Sequence, residues 1–435
     1  MAEKLHVGII GSGGMTKNHS RGYLNSGQYE IVALADLSSD VMNEYDKVFS
    51  EYDDYKAQHF TDFREMLQEA KPDVVSIGVW HSGHAPMTIA AAAAGGVKAI
   101  LCEKPMADSL GAAADMLMVC KRNNVKLAIG HQRRFLPAYT LAKQLIADGQ
   151  LGDIRLITSV AGDGLPNYAS HQTDMFRYLL GDIECTWVMG NVERETDRWE
   201  RSTQIEDKAL AVFGFENDTQ AMIVSDLIPD RWQGARIYGS EGMIEMTTDD
   251  LYLMNAKSGG WAHHKPDGEF FKYGLAGFEW LEGGAGQAQE LAAWASGRSD
   301  DHRGNGENGY KALEMIHAVY ESARLHMQVQ MPMKTMVNPL DLMIADGHRP
   351  FVIQENATFA LAASAEKTSD PTAIIARSVA IHSSTINLKA QMHNLRIEAL
   401  AFECNLQEFH LLIGFEDSDR CTALQLATVT PKSAK

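Results

Sequence analysis

The stretch "VGIIGSGGMT", residues 7 to 16, decides the fold. An apolar run with β-branched residues ends in Gly11, Ser12, Gly13, Gly14 and Met15, and Thr16 stands where a third small residue is wanted. A strand that breaks into glycines and re-forms as a helix brings bare backbone amides to a helix N-terminus, where a pyrophosphate can sit. Such loops also arise for steric reasons alone, so a second signal is needed. Asp36 supplies it: it closes the next apolar run, "EIVALAD", 23 residues after Gly13, where a carboxylate can accept both hydroxyls of a ribose. The acid would repel a 2'-phosphate, and Leu37, Ser38 and Ser39 offer no arginine to hold one. The expected cofactor is therefore NAD, with NADP less suited.

Outward from this loop, short β-rich runs alternate with helical-period segments over residues 1–135. The strands are expected at 5–10, 30–36, 73–79, 98–103 and 126–132, with a weak extra one near 58–60. This alternation predicts a doubly wound parallel sheet, an NAD-binding Rossmann domain. From about residue 150 the runs lengthen and alternate, with "ENDT" (216–219) and "GSEG" (239–242) as hairpin turns, and two helices follow in "GQAQELAAWASG" and "NGYKALEMIHAVYESARLHM". Residues 136–347 are expected to form an α/β domain with an open, mostly antiparallel sheet. Residues 348–435 form an extension whose structure the sequence does not assign; beyond Pro350 it has no Trp or Tyr and a single glycine, Gly414.

Bulk properties exclude several functions. A formal charge of −18 over 435 residues, with no dense Lys/Arg run, opposes nucleic acid and anionic lipid. Five scattered cysteines form no CxxC pair and no zinc spacing, so no metal is expected. No apolar run is long enough for a membrane span and the N-terminus does not read as a signal peptide, which makes a soluble, cytoplasmic protein the expectation.

The run "AILCEKPMA", residues 99 to 107, places Glu103 and Lys104 at a strand's carboxyl end, which is where ligands lie in such sheets. Pro105 restricts Lys104 to extended conformations and so aims its side chain. In "NYASHQTDMFRYLLGD" a helix entered near Ser170 carries Phe176, Leu179 and Leu180 as its buried stripe, with His171 in the first turn and Asp174 one turn on, on the same face.

Taken together, "VGIIGSGGMTKNH", "ADLSSD", "WHSGHAPM", "CEKPMADS", "GHQRRFLPAY" and "SHQTDMFRYLLGD" resemble, in order and spacing, the glucose-fructose oxidoreductase, inositol dehydrogenase and MocA family. The resemblance covers residues 4 to 347. It implies the two-domain fold above, a homo-oligomer (dimer or tetramer) built on the second-domain sheet, a catalytic Lys104 and a cis bond before Pro105. It further implies His171 as general acid/base, with Lys104 as the cation bonded to the reacting oxygen. Asn167 stands where the family often has an aspartate; it can orient hydroxyls but cannot stabilise an imidazolium by charge, which shifts proton transfer toward Lys104. By position, Trp80, His81, His84, Glu103, Gln132 and Arg133 join Gly11 to Met15 and Asp36 as cofactor-site residues, and one of Arg133 and Arg134 is an ion-pair partner. Arg231, Trp232, His263 and His264 are residue types that grip sugars, with no physical argument placing them in the pocket.

The function implied is NAD-dependent hydride transfer at a ring hydroxyl or keto group of a sugar, sugar derivative or cyclic polyol. An NAD-dependent glycosidase that oxidises, eliminates and re-reduces is the alternative. A non-catalytic dinucleotide-binding regulator is a second alternative, disfavoured by the presence of both Lys104 and His171.

Overall fold

The computed structural model describes residues 3–228, 234–275 and 277–347, together with two backbone strands farther on. The described residues up to Gly347 belong to one compact unit, and the two later strands to a second. Arg231 and Trp232, and most of the extension that begins at residue 348, lie outside the described residues.

The first sheet has six parallel strands: β1 (Leu5–Ile10), β2 (Tyr29–Ala35), β3 (Tyr55–Phe60), β4 (Val74–Ile77), β5 (Ala99–Cys102) and β6 (Lys126–Ile129). Their order is β3-β2-β1-β4-β5-β6, so the direction of winding reverses between β1 and β4 and opens a crevice at their carboxyl ends. Helices α1 (Gly14–Ser26), α2 (Ser39–Phe49), α3 (Phe63–Glu69), α4 (His81–Ala93) and α5 (Leu110–Arg122) connect them. The central strands are buried throughout, as parallel strands covered on both faces must be. The weak strand signal near residue 58 is a full edge strand, β3. The last strand stops at Ile129, earlier than expected: a Cβ at Gly130 would lie 2.6 Å from the Glu103 carboxylate, and the chain turns there into a 3₁₀ segment, Gln132–Phe135.

After α6 (Pro137–Ala147), β7 (Ile154–Ala161) begins the second sheet, and a π-helical turn, Leu165–Ala169, leads into α7 (Ser170–Leu179). The sheet continues with β8 (Cys185–Glu193), then, after a separate small hairpin of β9 (Trp199–Glu200) and β10 (Thr203–Gln204), with β11 (Lys208–Phe215), β12 (Gln220–Ser225), β13 (Gly234–Gly239), β14 (Gly242–Thr247), β15 (Leu251–Asn255) and β16 (Trp261–His264). Helices α8 (Glu279–Ala295) and α9 (Gly306–Leu325), the short β17 (Val329–Gln330) and α10 (Pro339–Ala345) complete the unit. Nine strands form the sheet in the order β16-β15-β14-β13-β7-β12-β11-β8-β17; its neighbours are antiparallel except β7 and β12. Helices α6, α7 and α9 pack on one face. The other presents Trp187, Met189, Leu210, Val212, Met222 and Tyr252, none of them buried.

Helix α8 begins seven residues before the expected segment and runs through Gly283 and Gly284, which have poor helix propensity. Their role is close approach: a Cβ at Gly22 of α1 would lie 2.5 Å from the Gly284 carbonyl oxygen, and the Tyr29 hydroxyl donates to the Ala288 carbonyl at 2.5 Å. In the second unit, β18 (Phe409–Asp417) and β19 (Arg420–Val429) form an antiparallel pair. No described helix is long and apolar enough to cross a membrane.

Candidate active site

At the crevice, Gly11 has φ +85°, and a Cβ there would lie 2.7 Å from the Gly78 carbonyl oxygen, so only glycine fits. Gly13 and Gly14 have open space where a Cβ would be, and no side chain caps α1. Free first-turn amides beside open space suit a diphosphate. The Asp36 carboxylate accepts from the Ser12 amide at 2.7 Å and the Ser38 amide at 3.0 Å, which fixes it at the rim of that loop. The loop and its acid thus fit the adenosine diphosphate half of a dinucleotide, with Met15 next along the helix.

Glu103 and Lys104 follow β5, and the bond before Pro105 is cis. Glu103 is not a solvated partner for the lysine ammonium. It is buried, receives the Lys104 amide at 3.1 Å, and bonds the His19 ring at 2.9 Å, whose other nitrogen meets Ser76 Oγ at 2.8 Å. Burial would raise its carboxyl, but the His19 bond and charge, with Lys104 and His84, hold it below the usual range. His19 escaped the sequence reading; its signal is its place on the buried Thr16, Ser20, Tyr23 side of α1.

Lys104 reaches the other way. Its Nζ donates to Asn167 Oδ1 at 2.9 Å and to the Asn167 carbonyl at 3.1 Å. Burial, with Arg201 and Arg133 nearby and Glu103 acting oppositely, lowers its amine from 10.5 to about 8. His171 is buried, edge-on to Tyr168 and His131, with ring centroids 6.3 and 6.2 Å away. Burial first, then the cations Arg133 and Lys104, push it well below 6.5, so the ring is neutral at physiological pH. No partner bonds its Nδ1 among the described residues.

Helix α7 is buried on every side, beyond the expected stripe, and Leu180 lies just past its end. Asp174 turns to Arg134, whose Nε meets both carboxylate oxygens at 2.9 Å, and to His131 Nδ1 at 3.2 Å. Arg134 also reaches Asp182 at 2.8 Å and is therefore the structural member of the arginine pair. Arg133 lies over the Tyr168 ring at 5.1 Å and donates to Gln172 at 3.4 Å, close enough to Lys104 and His171 to shift both. Gln132 lines a small cavity with Met15, Asn18, His19 and Trp280.

Just before α4, Trp80 is 63% exposed. The His84 ring sits between the carbonyls of Pro105 and Val79, 2.8 and 3.1 Å from its two nitrogens, and packs α4 against the Lys104 turn. His81 is drawn to the β9/β10 hairpin, with Thr203 and Arg201 each at 3.3 Å, and burial lowers it to about 3. His263 and His264 sit on the edge strand β16, where His263 bonds Asp250 at 2.8 Å, and are not gathered into this cluster. No group of three His, Cys, Asp or Glu side chains is placed to hold a metal among the described residues.

Comparisons with known proteins agree with this construction. Residues 5–131 match a family model described as "Oxidoreductase family, NAD-binding Rossmann fold", and residues 143–331 one described as "Oxidoreductase family, C-terminal alpha/beta domain". The chain is similar to the uncharacterized oxidoreductase YrbE of Bacillus subtilis (26% identity over 280 residues, 58% of this chain and 80% of that protein). It is 30% identical to levoglucosan dehydrogenase of Pseudarthrobacter phenanthrenivorans over 222 residues, 43% of this chain and 55% of that one. Among solved structures, an NAD binding oxidoreductase from Klebsiella pneumoniae shares the fold, with a TM-score of 0.66 at 21% identity over 76% of this chain and 100% of that chain. The two matched models span most of the sequence, and the chain belongs to the Gfo/Idh/MocA family of NAD-binding oxidoreductases.

Proposed function

We propose that the protein oxidises a ring hydroxyl of a sugar, sugar derivative or cyclic polyol, or reduces the matching ketone, with NAD. The observation that carries this is the Lys104 amine, held by two neutral oxygens beside His171 at the carboxyl end of the parallel sheet. Gly11 to Met15 would hold the diphosphate, Asp36 the ribose, and Glu103, Gln132, Arg133 and His84 the wall of the nicotinamide end, with exposed Trp80 and buried His81 beside it at the start of α4. When bound, NAD supplies the hydride acceptor.

An ammonium has three N–H groups. Two are engaged by Asn167, which leaves one for the reacting oxygen, or a lone pair once that proton is lost. With its amine lowered to about 8, Lys104 takes the hydroxyl proton, and neutral His171 orients the hydroxyl. The rate of alcohol oxidation therefore rises as pH passes through about 8, and that of ketone reduction falls.

The test is absorbance at 340 nm with NAD and a panel containing levoglucosan, myo-inositol and their relatives. Reduction of NAD by a member supports the reading, and no change with any member counts against it. Release of an aglycone without net NADH would select the glycosidase alternative. The apolar open face of the second sheet supports a homo-oligomer formed through it.

A further inference from the structure

The turn that leads to Asn167 is held by two carboxylates that the chemistry above does not use. Asp163 and Gly164 have φ of +58° and +82°, and consecutive amides in such a turn make an anion-binding concavity. Asp226 accepts from the Asp163 and Gly164 amides, each at 3.1 Å, and Glu206 accepts from the Leu165 amide at 2.7 Å. Glu206 is fully buried, and its second oxygen accepts from the Tyr320 hydroxyl of α9 at 2.5 Å. Arg198 pairs with Asp226 at 3.2 Å and donates to the Glu206 and Asp207 carbonyls. A Cβ at Gly164 would lie 2.7 Å from Ile205, so the segment carrying Glu206 packs directly beneath the turn. Burying a carboxylate in this way is costly unless its oxygens are hydrogen-bonded, as both of Glu206 are.

We propose that Glu206 and Asp226 are positioning residues that act on Lys104 through Asn167. They fix the 163–165 turn, the turn fixes the π-helical segment Leu165–Ala169, and Asn167 in that segment presents both of its oxygens to Nζ. The effect on turnover rests on Lys104 carrying the proton, as proposed above. The effect on the turn itself does not.

The experiment uses the full chain with Glu206→Ala, Glu206→Gln and Tyr320→Phe. Glutamine keeps an oxygen for the Leu165 amide and an amide for Tyr320, so it is the conservative rescue. Three quantities are read: amide exchange of peptides covering 163–169 and 5–36, acetylation of Lys104 by acetic anhydride, and kcat with the panel alcohol that is oxidised. Glu206→Ala should speed exchange at 163–169 but not at 5–36, speed Lys104 acetylation, and lower kcat about 100-fold while NADH binding and KM for NAD stay unchanged. Glu206→Gln should recover most of each.

Equal effects of Ala and Gln, or exchange that rises equally in both peptides, overturn the proposal. If Glu206→Ala does not fold, Tyr320→Phe must show the same local pattern at smaller amplitude, and its absence overturns it. If the wild-type chain oxidises no panel alcohol, the proposed reaction fails, while exchange and acetylation still decide the positioning.

Discussion

Two clusters lie side by side in this protein, with the His131 and His171 rings 6.2 Å apart, and they treat charge in opposite ways. In the Arg134, Asp174, His131 group each charge meets its opposite. Burial works against both ions, yet Asp174 is held well below the usual carboxylate range and Arg134 above its ordinary value by their mutual attraction. In the Lys104, Asn167, His171 group the lysine meets neutral oxygens, and burial prevails. Complete pairing freezes protonation and makes a scaffold. Incomplete pairing leaves a group that titrates within reach of neutral pH, which is what proton transfer requires.

The largest effect expected is from Lys104→Ala: turnover falls about 1,000-fold while NADH fluorescence titration shows unchanged binding. Surviving activity would break the contrast at its functional half. The scaffold half is tested by Arg134→Met, which strands Asp174 in the interior and should cost about 3–5 kcal/mol in thermal or urea unfolding. A stability loss under about 1 kcal/mol would show that the pair is not what holds α7.

Asn167→Asp converts one cluster toward the other. A carboxylate beside the amine favours the ammonium, so the rising limb of the oxidation profile should move from about pH 8 to a value roughly 1 unit or more higher. No movement would mean that another group carries the limb. Asp36→Ala should weaken NAD binding roughly 10-fold or more, the scale of a lost charge-assisted bond, by isothermal titration. The smallest effect on turnover belongs to Met189→Lys on the open sheet face, where sedimentation should show a smaller assembly with catalysis per chain little changed.

Much of the dinucleotide half was legible because its signals are local. The glycine loop, Asp36 and the buried central strands each declare themselves within a few residues. Edge strand β3 was faint since half of its residues face water, and the two-residue strands β9 and β10 are too short to show any period. The start of α8 was hidden by glycines that serve a crossing partner instead of a turn. At the candidate site, the places of Lys104 after a strand and of His171 at the start of a helix were legible, but the partners that set their chemistry come from far along the chain. Lys104 and Asn167 stand 63 residues apart, and His19, which bonds the neighbouring Glu103, stands 84 from it. Asp174 shows the limit of helical spacing: the i+3 position put it near His171, and a buried guanidinium drew it elsewhere.

The crossing of α1 and α8 has a bearing on how the chain is assembled. Tyr23, Leu24 and Tyr29 of the first sheet's outer layer are covered by Ala288, Leu291 and Ala292. A nascent chain that has released the dinucleotide half still lacks one wall of it until α8 emerges, long after β6. A fragment cut at residue 135 would show those tyrosines to water, so a portable cofactor-binding module from this protein has to carry its distant helix along.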